Sequence, residues 1–202
     1  NDISSKILSN NKRIEPIDIK TIIKREEKDT TQAHAIIGCR SYSLYNPNRK
    51  ILNLLSNILG GPGMNSRLNI SLREKRGYVY NVDSSITSYT DTGMASVYFG
   101  CDKKNLNKCI DLVNKELKKL KDEKLTTSQL HLAKKQYIGQ IGIMNDNNEN
   151  IALSLGKNYL HYGHFNTLEE IFEKIEVITA EQIQDVANEI FNGNRLFSLI
   201  YN

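Results

Sequence analysis

An arginine and a tyrosine seven positions apart, Arg73 and Tyr80, are the residues best placed for chemistry in this chain. They lie in residues 59–80, LGGPGMNSRLNISLREKRGYVY, where a glycine turn leads through a basic amphipathic segment into Gly-Tyr-Val-Tyr. A short helix carrying Arg73, a turn at Gly77 and a strand carrying Tyr80 would let a fixed cation and a phenol project toward the same substrate. Neither residue is a metal ligand set or an activated nucleophile, and none stands beside them. The segment therefore reads as the supporting half of a reaction centre. An arginine on a surface helix and a tyrosine in a strand are also common structural choices, so the pair alone does not fix a function.

Other candidates are weaker. His161 and His164 stand three apart in HYGH, but Gly163 interrupts a helix there and no glutamate or third ligand follows at metal-binding spacing. The turn GGPG at residues 60–63 lacks both the Gly-Lys-Ser/Thr ending of a phosphate loop and the GxGxxG spacing of a dinucleotide site. A helix end followed by a tight turn accounts for it. No GxSxG elbow occurs, and no two carboxylates stand out as an acid/base couple. Cys39, Cys101 and Cys109 are odd in number and lack CxxC spacing, which reads as buried, reduced thiols and favours a cytoplasmic setting.

These residues must be held by a fold of moderate size. The 202 residues suffice for one domain with a substantial core, at 39% hydrophobic and 25% charged content. The net charge of +4 is spread among acids, without the interleaved aromatics of a nucleic-acid surface, so no nucleic-acid partner is expected. No apolar run approaches the ~18 residues of a membrane helix. Residues 1–20 read as a polar linker or arm broken by Pro16, with residues 21–202 as the domain.

Within that domain, residues 31–41 read as a strand. A helix opening at Asn46 and Pro47 presents Ile51, Leu52, Leu54, Leu55, Ile58 and Leu59 on one face and stops at Gly60 and Gly61. A second short helix spans residues 66–75, with Leu68 and Leu72 on one side. Strands at residues 79–89 and 93–101 form a hairpin. Leu106, Ile110, Val113, Leu117 and Leu120 mark an amphipathic helix. Thr126 with Gln129, Thr167 with Glu170 and Thr179 with Gln182 form capping boxes at three later helix starts. NDNNEN at residues 145–150 interrupts a helical hairpin, and a last strand covers residues 196–201. The order predicts an α+β fold, an antiparallel or mixed sheet with helices packed mainly on one face.

The same residues carry a resemblance. LGGPGMNSRLNISLREKRGYVYNV, residues 59–82, is similar to the LGGGMSSRLxxxLREKxGLAYxV segment of the pitrilysin/insulinase family of zinc metallopeptidases, in its mitochondrial-processing-peptidase-like branch and bacterial relatives. The similarity is to the second, C-terminal, zinc-free domain and extends from residue 21 to the end of the chain. It implies a half-domain that closes like a clamshell over a separate zinc-bearing domain or subunit. There Arg73 and Tyr80 would bind the peptide substrate and stabilise the tetrahedral intermediate.

The inverted HxxEH zinc motif of the first domain is missing: the corresponding helix, NRKILNLLSNIL, has neither histidine nor glutamate. The resemblance thus implies no cofactor in this segment, zinc on the partner domain, and no peptide hydrolysis by this chain alone. Pro62 is an insertion relative to the commonest motif, and Tyr78 replaces a leucine. Strand alternation would put Tyr78 on the same face as Tyr80, so Tyr78 stays a second candidate for substrate binding. The resemblance also leaves open a homodimer of the full-length protein, and a non-catalytic scaffold or peptide-binding subunit of the same fold.

Overall fold

A computed structural model describes Pro16 and residues 21–202. The expected arm thus lies outside the described residues except for Pro16, whose carbonyl accepts a 2.7 Å hydrogen bond from Arg40 Nη1. The described residues form five strands, β1 (Ile23–Glu26), β2 (Gln32–Ser41), β3 (Val79–Ser88), β4 (Gly93–Asp102) and β5 (Phe197–Tyr201). Six α-helices accompany them: α1 (Arg49–Gly60), α2 (Leu106–Asp122), α3 (Thr127–Met144), α4 (Asn148–Tyr162), α5 (Leu168–Glu176) and α6 (Ala180–Ile190).

The strands make one mixed sheet in the order β1-β5-β2-β4-β3, parallel between β1 and β5 and antiparallel elsewhere. The expected mixed α+β architecture is the one observed. The short strand β1 was hidden in the sequence because its four residues, IKRE, carry almost no apolar pattern. Its position at the sheet edge, where one side needs no partner, tolerates that composition.

Burial alternates along the central strands. Ala33, Ala35, Ile37 and Cys39 of β2 and Ala95, Val97, Phe99 and Cys101 of β4 are buried. Their neighbours His34, Ile36, Ser96 and Tyr98 are only partly covered. Small side chains on the covered face let the helices approach. Leu52, Leu55 and Leu59 of α1, Val113, Leu117 and Leu120 of α2, and Ile183, Val186 and Ile190 of α6 complete the core. α3 and α5 form an outer layer, and no residue of α4 is buried.

One contact sets how closely the helix layer sits. A Cβ on Gly60, the last residue of α1, would lie 2.7 Å from the Ser84 amide nitrogen of β3, so only glycine fits. Beside it Ser56 Oγ and Ser84 Oγ are 2.8 Å apart. The glycines expected to end α1 do so, with Gly61 as C-cap donating its amide to the Asn57 carbonyl at 2.9 Å, but neither glycine has positive φ. Close packing of helix on strand is the reason for Gly60. All three capping boxes form, each with reciprocal Thr and Gln or Glu bonds. The Asn145–Asn150 interruption also falls where expected, with Asn147 capping α4.

Leu52 is fully buried while Leu160, on α4, is 84% exposed. Leu52→Ala is expected to cost about 2–5 kcal/mol in chemical denaturation, and Leu160→Ala less than about 0.5 kcal/mol. Equal losses would contradict this layering.

Candidate functional site

Arg73 and Tyr80 flank a turn whose geometry departs from regular structure on both sides. The segment after the glycine turn starts as α-helix at Arg67 and Leu68, then widens into a π-helical turn, Asn69–Glu74, with the Lys75 amide bonded to the Ile70 carbonyl at 3.1 Å. The expected plain helix over residues 66–75 is therefore corrected. Leu68 and Leu72 are both fully buried, and the widened turn keeps both inward while the chain gains a residue. Buried Asn69 anchors the start, donating from Nδ2 to Ser66 Oγ at 2.8 Å.

The chain then reverses at Gly77, which has φ of +62°, a conformation that glycine adopts without strain. The Gly77 amide donates to the Arg73 carbonyl at 2.7 Å and the Tyr78 amide to the Leu72 carbonyl at 2.9 Å. The backbone of Arg73 is thereby tied to the turn leading to Tyr80. The Arg73 side chain is 46% exposed, and its nearest acid is the adjacent Glu74, 3.9 Å from Nε. Such an exposed, long contact holds the guanidinium weakly.

The second irregularity is a β-bulge. Val79 pairs with Cys101 and Asn81 with the next residue, Gly100, leaving Tyr80 as an extra residue in β3. Bulges re-aim side chains. Tyr80 is 79% exposed, between buried Val79 and Val82 two positions on. β3 is also an edge strand of the sheet among the described residues.

Tyr78 is placed differently. It precedes the first residue of β3, packs against the hydrophobic core and has the Lys108 ammonium of α2 5.7 Å from its ring centre. The alternation expected to bring Tyr78 and Tyr80 to one face does not operate, because Tyr78 lies outside the strand and the bulge breaks the two-residue period. No sequence signal marked the π turn or the bulge.

The remaining candidates are structural. His161 packs edge-on to Tyr45 and Tyr162, and His164 Nδ1 lies 3.0 Å from the Tyr162 carbonyl oxygen. Gly163, φ +71°, ends α4 between them. Among the described residues no group of three or more His, Cys, Asp or Glu could hold a metal ion. The His161 and His164 pair thus has no third ligand among the described residues to complete a zinc site. No helix is long and apolar enough to cross a membrane. Burial pushes the thiols of Cys39 and Cys109 up to about 12, and that of Cys101 upward, so none is a thiolate nucleophile near neutrality.

The candidate site is therefore one of exposed hydrogen-bond donors on an α+β fold. Residues 4–137 match the family described as the Peptidase M16 inactive domain, and the chain belongs to that family. This is the zinc-free domain type that the motif at residues 59–82 resembles. The chain is 30% identical over 174 residues to the uncharacterized zinc protease YmxG of Bacillus subtilis, covering 86% of this chain and 42% of the relative. It is 28% identical over 166 residues to an uncharacterized zinc protease of Mycobacterium leprae, covering 82% and 37%. The chain thus spans less than half the length of these relatives. A crystal structure of a peptidase M16 inactive domain from Pseudomonas fluorescens superposes with a TM-score of 0.84 at 22% identity, over 93% of this chain and 45% of the other. A chain of complex III2 from Candida albicans has the same fold, with a TM-score of 0.77 at 18% identity over 92% and 46%.

The burial of the thiols generates a test. Their folded values lie above the ordinary 9.0, so the stability they contribute is complete below that pH and is lost as pH rises toward about 12. At pH 8 the native chain should react with a water-soluble disulfide reagent at least about 100-fold more slowly than the guanidinium-unfolded chain. Comparable rates would refute the burial.

Proposed function

We propose that this domain is the substrate-binding, transition-state-stabilising half of a zinc metalloendopeptidase, closing over a zinc-bearing domain or subunit. The observation that carries the reading is the pairing of an arginine on a π turn with a tyrosine on a bulge, across a turn in which the Gly77 and Tyr78 amides bond back to the Arg73 and Leu72 carbonyls. Both side chains stay exposed, and among the described residues neither is consumed by a strong internal partner. In this reading an extended peptide lies against the β3 end of the domain. The Arg73 guanidinium holds substrate carbonyl oxygen, and the Tyr80 hydroxyl donates to the oxyanion that develops when the scissile carbonyl becomes tetrahedral.

Donors of this kind accelerate a reaction because their bonds strengthen as charge builds up. Each is worth about 2.7–4 kcal/mol in comparable sites. The partner half supplies the zinc chemistry, and this chain by itself hydrolyses no peptide. The naming of the relatives as zinc proteases supports this division of labour. A scaffold role within the same fold is the competing reading, and the retention of both donors in exposed positions favours the catalytic one.

With the zinc-bearing half restored, Arg73→Ala and Tyr80→Phe are each expected to lower kcat at least about tenfold, with thermal unfolding unchanged. Tyr78→Phe is expected to leave kcat within about twofold, since its ring packing survives loss of the hydroxyl. Full turnover by Arg73→Ala and Tyr80→Phe together would reject the proposed roles and leave the scaffold reading.

A further inference from the structure

The face of the sheet turned away from the core carries a polar contact close to the bulge. His34 of β2 and Tyr98 of β4 alternate with the buried residues of their strands and so stand on that face. Their rings lie within 13° of parallel, and His34 Nδ1 is 2.9 Å from the Tyr98 hydroxyl oxygen. The other ring nitrogen, Nε2, has no partner among the described residues.

Gly100 connects this pair to the bulge. It is in register with His34 on one side and with Asn81, the residue after Tyr80, on the other. A Cβ on Gly100 would lie 3.4 Å from His34 Nδ1 and 3.5 Å from its Cε1, so the imidazole lies against the space that a side chain would fill. Backbone conformation does not call for glycine there, since its φ is not positive. Room for the ring is the reason for it. The backbones of His34 and Asn81 are two strand spacings apart, about 10 Å, and an extended peptide covers that distance in about three residues.

We propose that His34 is a further substrate-binding residue, an inference that rests on the peptide-binding role proposed for Arg73 and Tyr80. A peptide whose scissile carbonyl meets Tyr80 and whose chain crosses this face of the sheet reaches His34 about three residues from the cut. The Tyr98 hydroxyl donates to Nδ1 and so places the ring proton on Nε2, which donates to a main-chain carbonyl oxygen of the peptide. Both residues sit on interior strands of the sheet, so the donor is held by the scaffold and not by a loop. A bond made this far from the reacting carbonyl is as strong in the bound substrate as in the transition state. It adds affinity without changing the chemical step.

Steady-state cleavage by the two halves together, with an internally quenched ten-residue peptide cut near its middle, tests the role. His34→Ala is expected to raise KM about fivefold, with kcat within about twofold and thermal unfolding unchanged. Tyr98→Phe should raise KM in the parent and add nothing in the His34→Ala background. Shortening the peptide to two residues on one side of the cut should abolish the His34→Ala effect, and shortening the other side should leave it intact. A merely structural role would affect all three peptides alike. An unchanged KM for His34→Ala, or an equal effect on all three peptides, would overturn this role, while a loss of kcat in Arg73→Ala and Tyr80→Phe would still uphold theirs. If those two variants turn over at the parent rate, or the parent cuts no peptide, the roles of Arg73 and Tyr80 are rejected and that of His34 with them.

Discussion

Burial of a single face of the sheet beneath α1, α2 and α6 is the constraint on which everything else rests. Small residues on that face of β2 and β4 and leucines on the helices make the hydrophobic contact close. Gly60 lets the end of α1 touch the backbone of β3. The helix layer is thus pinned to the edge strand, and the chain leaving α1 must return to that same strand within the segment that carries Arg73. Its path is short, and its two leucines, Leu68 and Leu72, must still reach the core.

Meeting those demands with regular structure would bury Arg73 or Tyr80 or expose one leucine. Two single-residue irregularities on either side of Gly77 resolve the conflict. The π turn keeps the leucines inward while Arg73 stays at the surface, and the bulge keeps Val79 and Val82 inward while Tyr80 points out. Tyr78, lacking such a device, is drawn to the core and to Lys108. The same widened segment has Arg67, Lys75 and Arg76 along a groove beside α2. One stretch of chain therefore presents donors on one side and a basic cleft on the other.

Much of this was legible in the sequence because it depends on periodicity and local chemistry. The amphipathic spacing of α1 and α2 and the threonine caps of α3, α5 and α6 express rules that act within a few residues. β1 was not legible, since its pairing with β5 is long-range and IKRE carries little pattern. The π turn and bulge were equally hidden. Each is set by what neighbouring elements must bury, and neither leaves a residue-type signature. The identities of Arg73 and Tyr80 were visible, but the reason that Tyr78 behaves differently was not.

In the proposed function the donors of Arg73 and Tyr80 meet the reacting carbonyl of a peptide bound to the zinc-bearing half. A crystal structure of the two halves together with a phosphinic peptide, which mimics the tetrahedral intermediate, tests it most directly. The Tyr80 hydroxyl is expected about 2.7–3.1 Å from a phosphinyl oxygen, with the Arg73 guanidinium bonded to the inhibitor backbone. An inhibitor bound with both side chains turned away into solvent would contradict it.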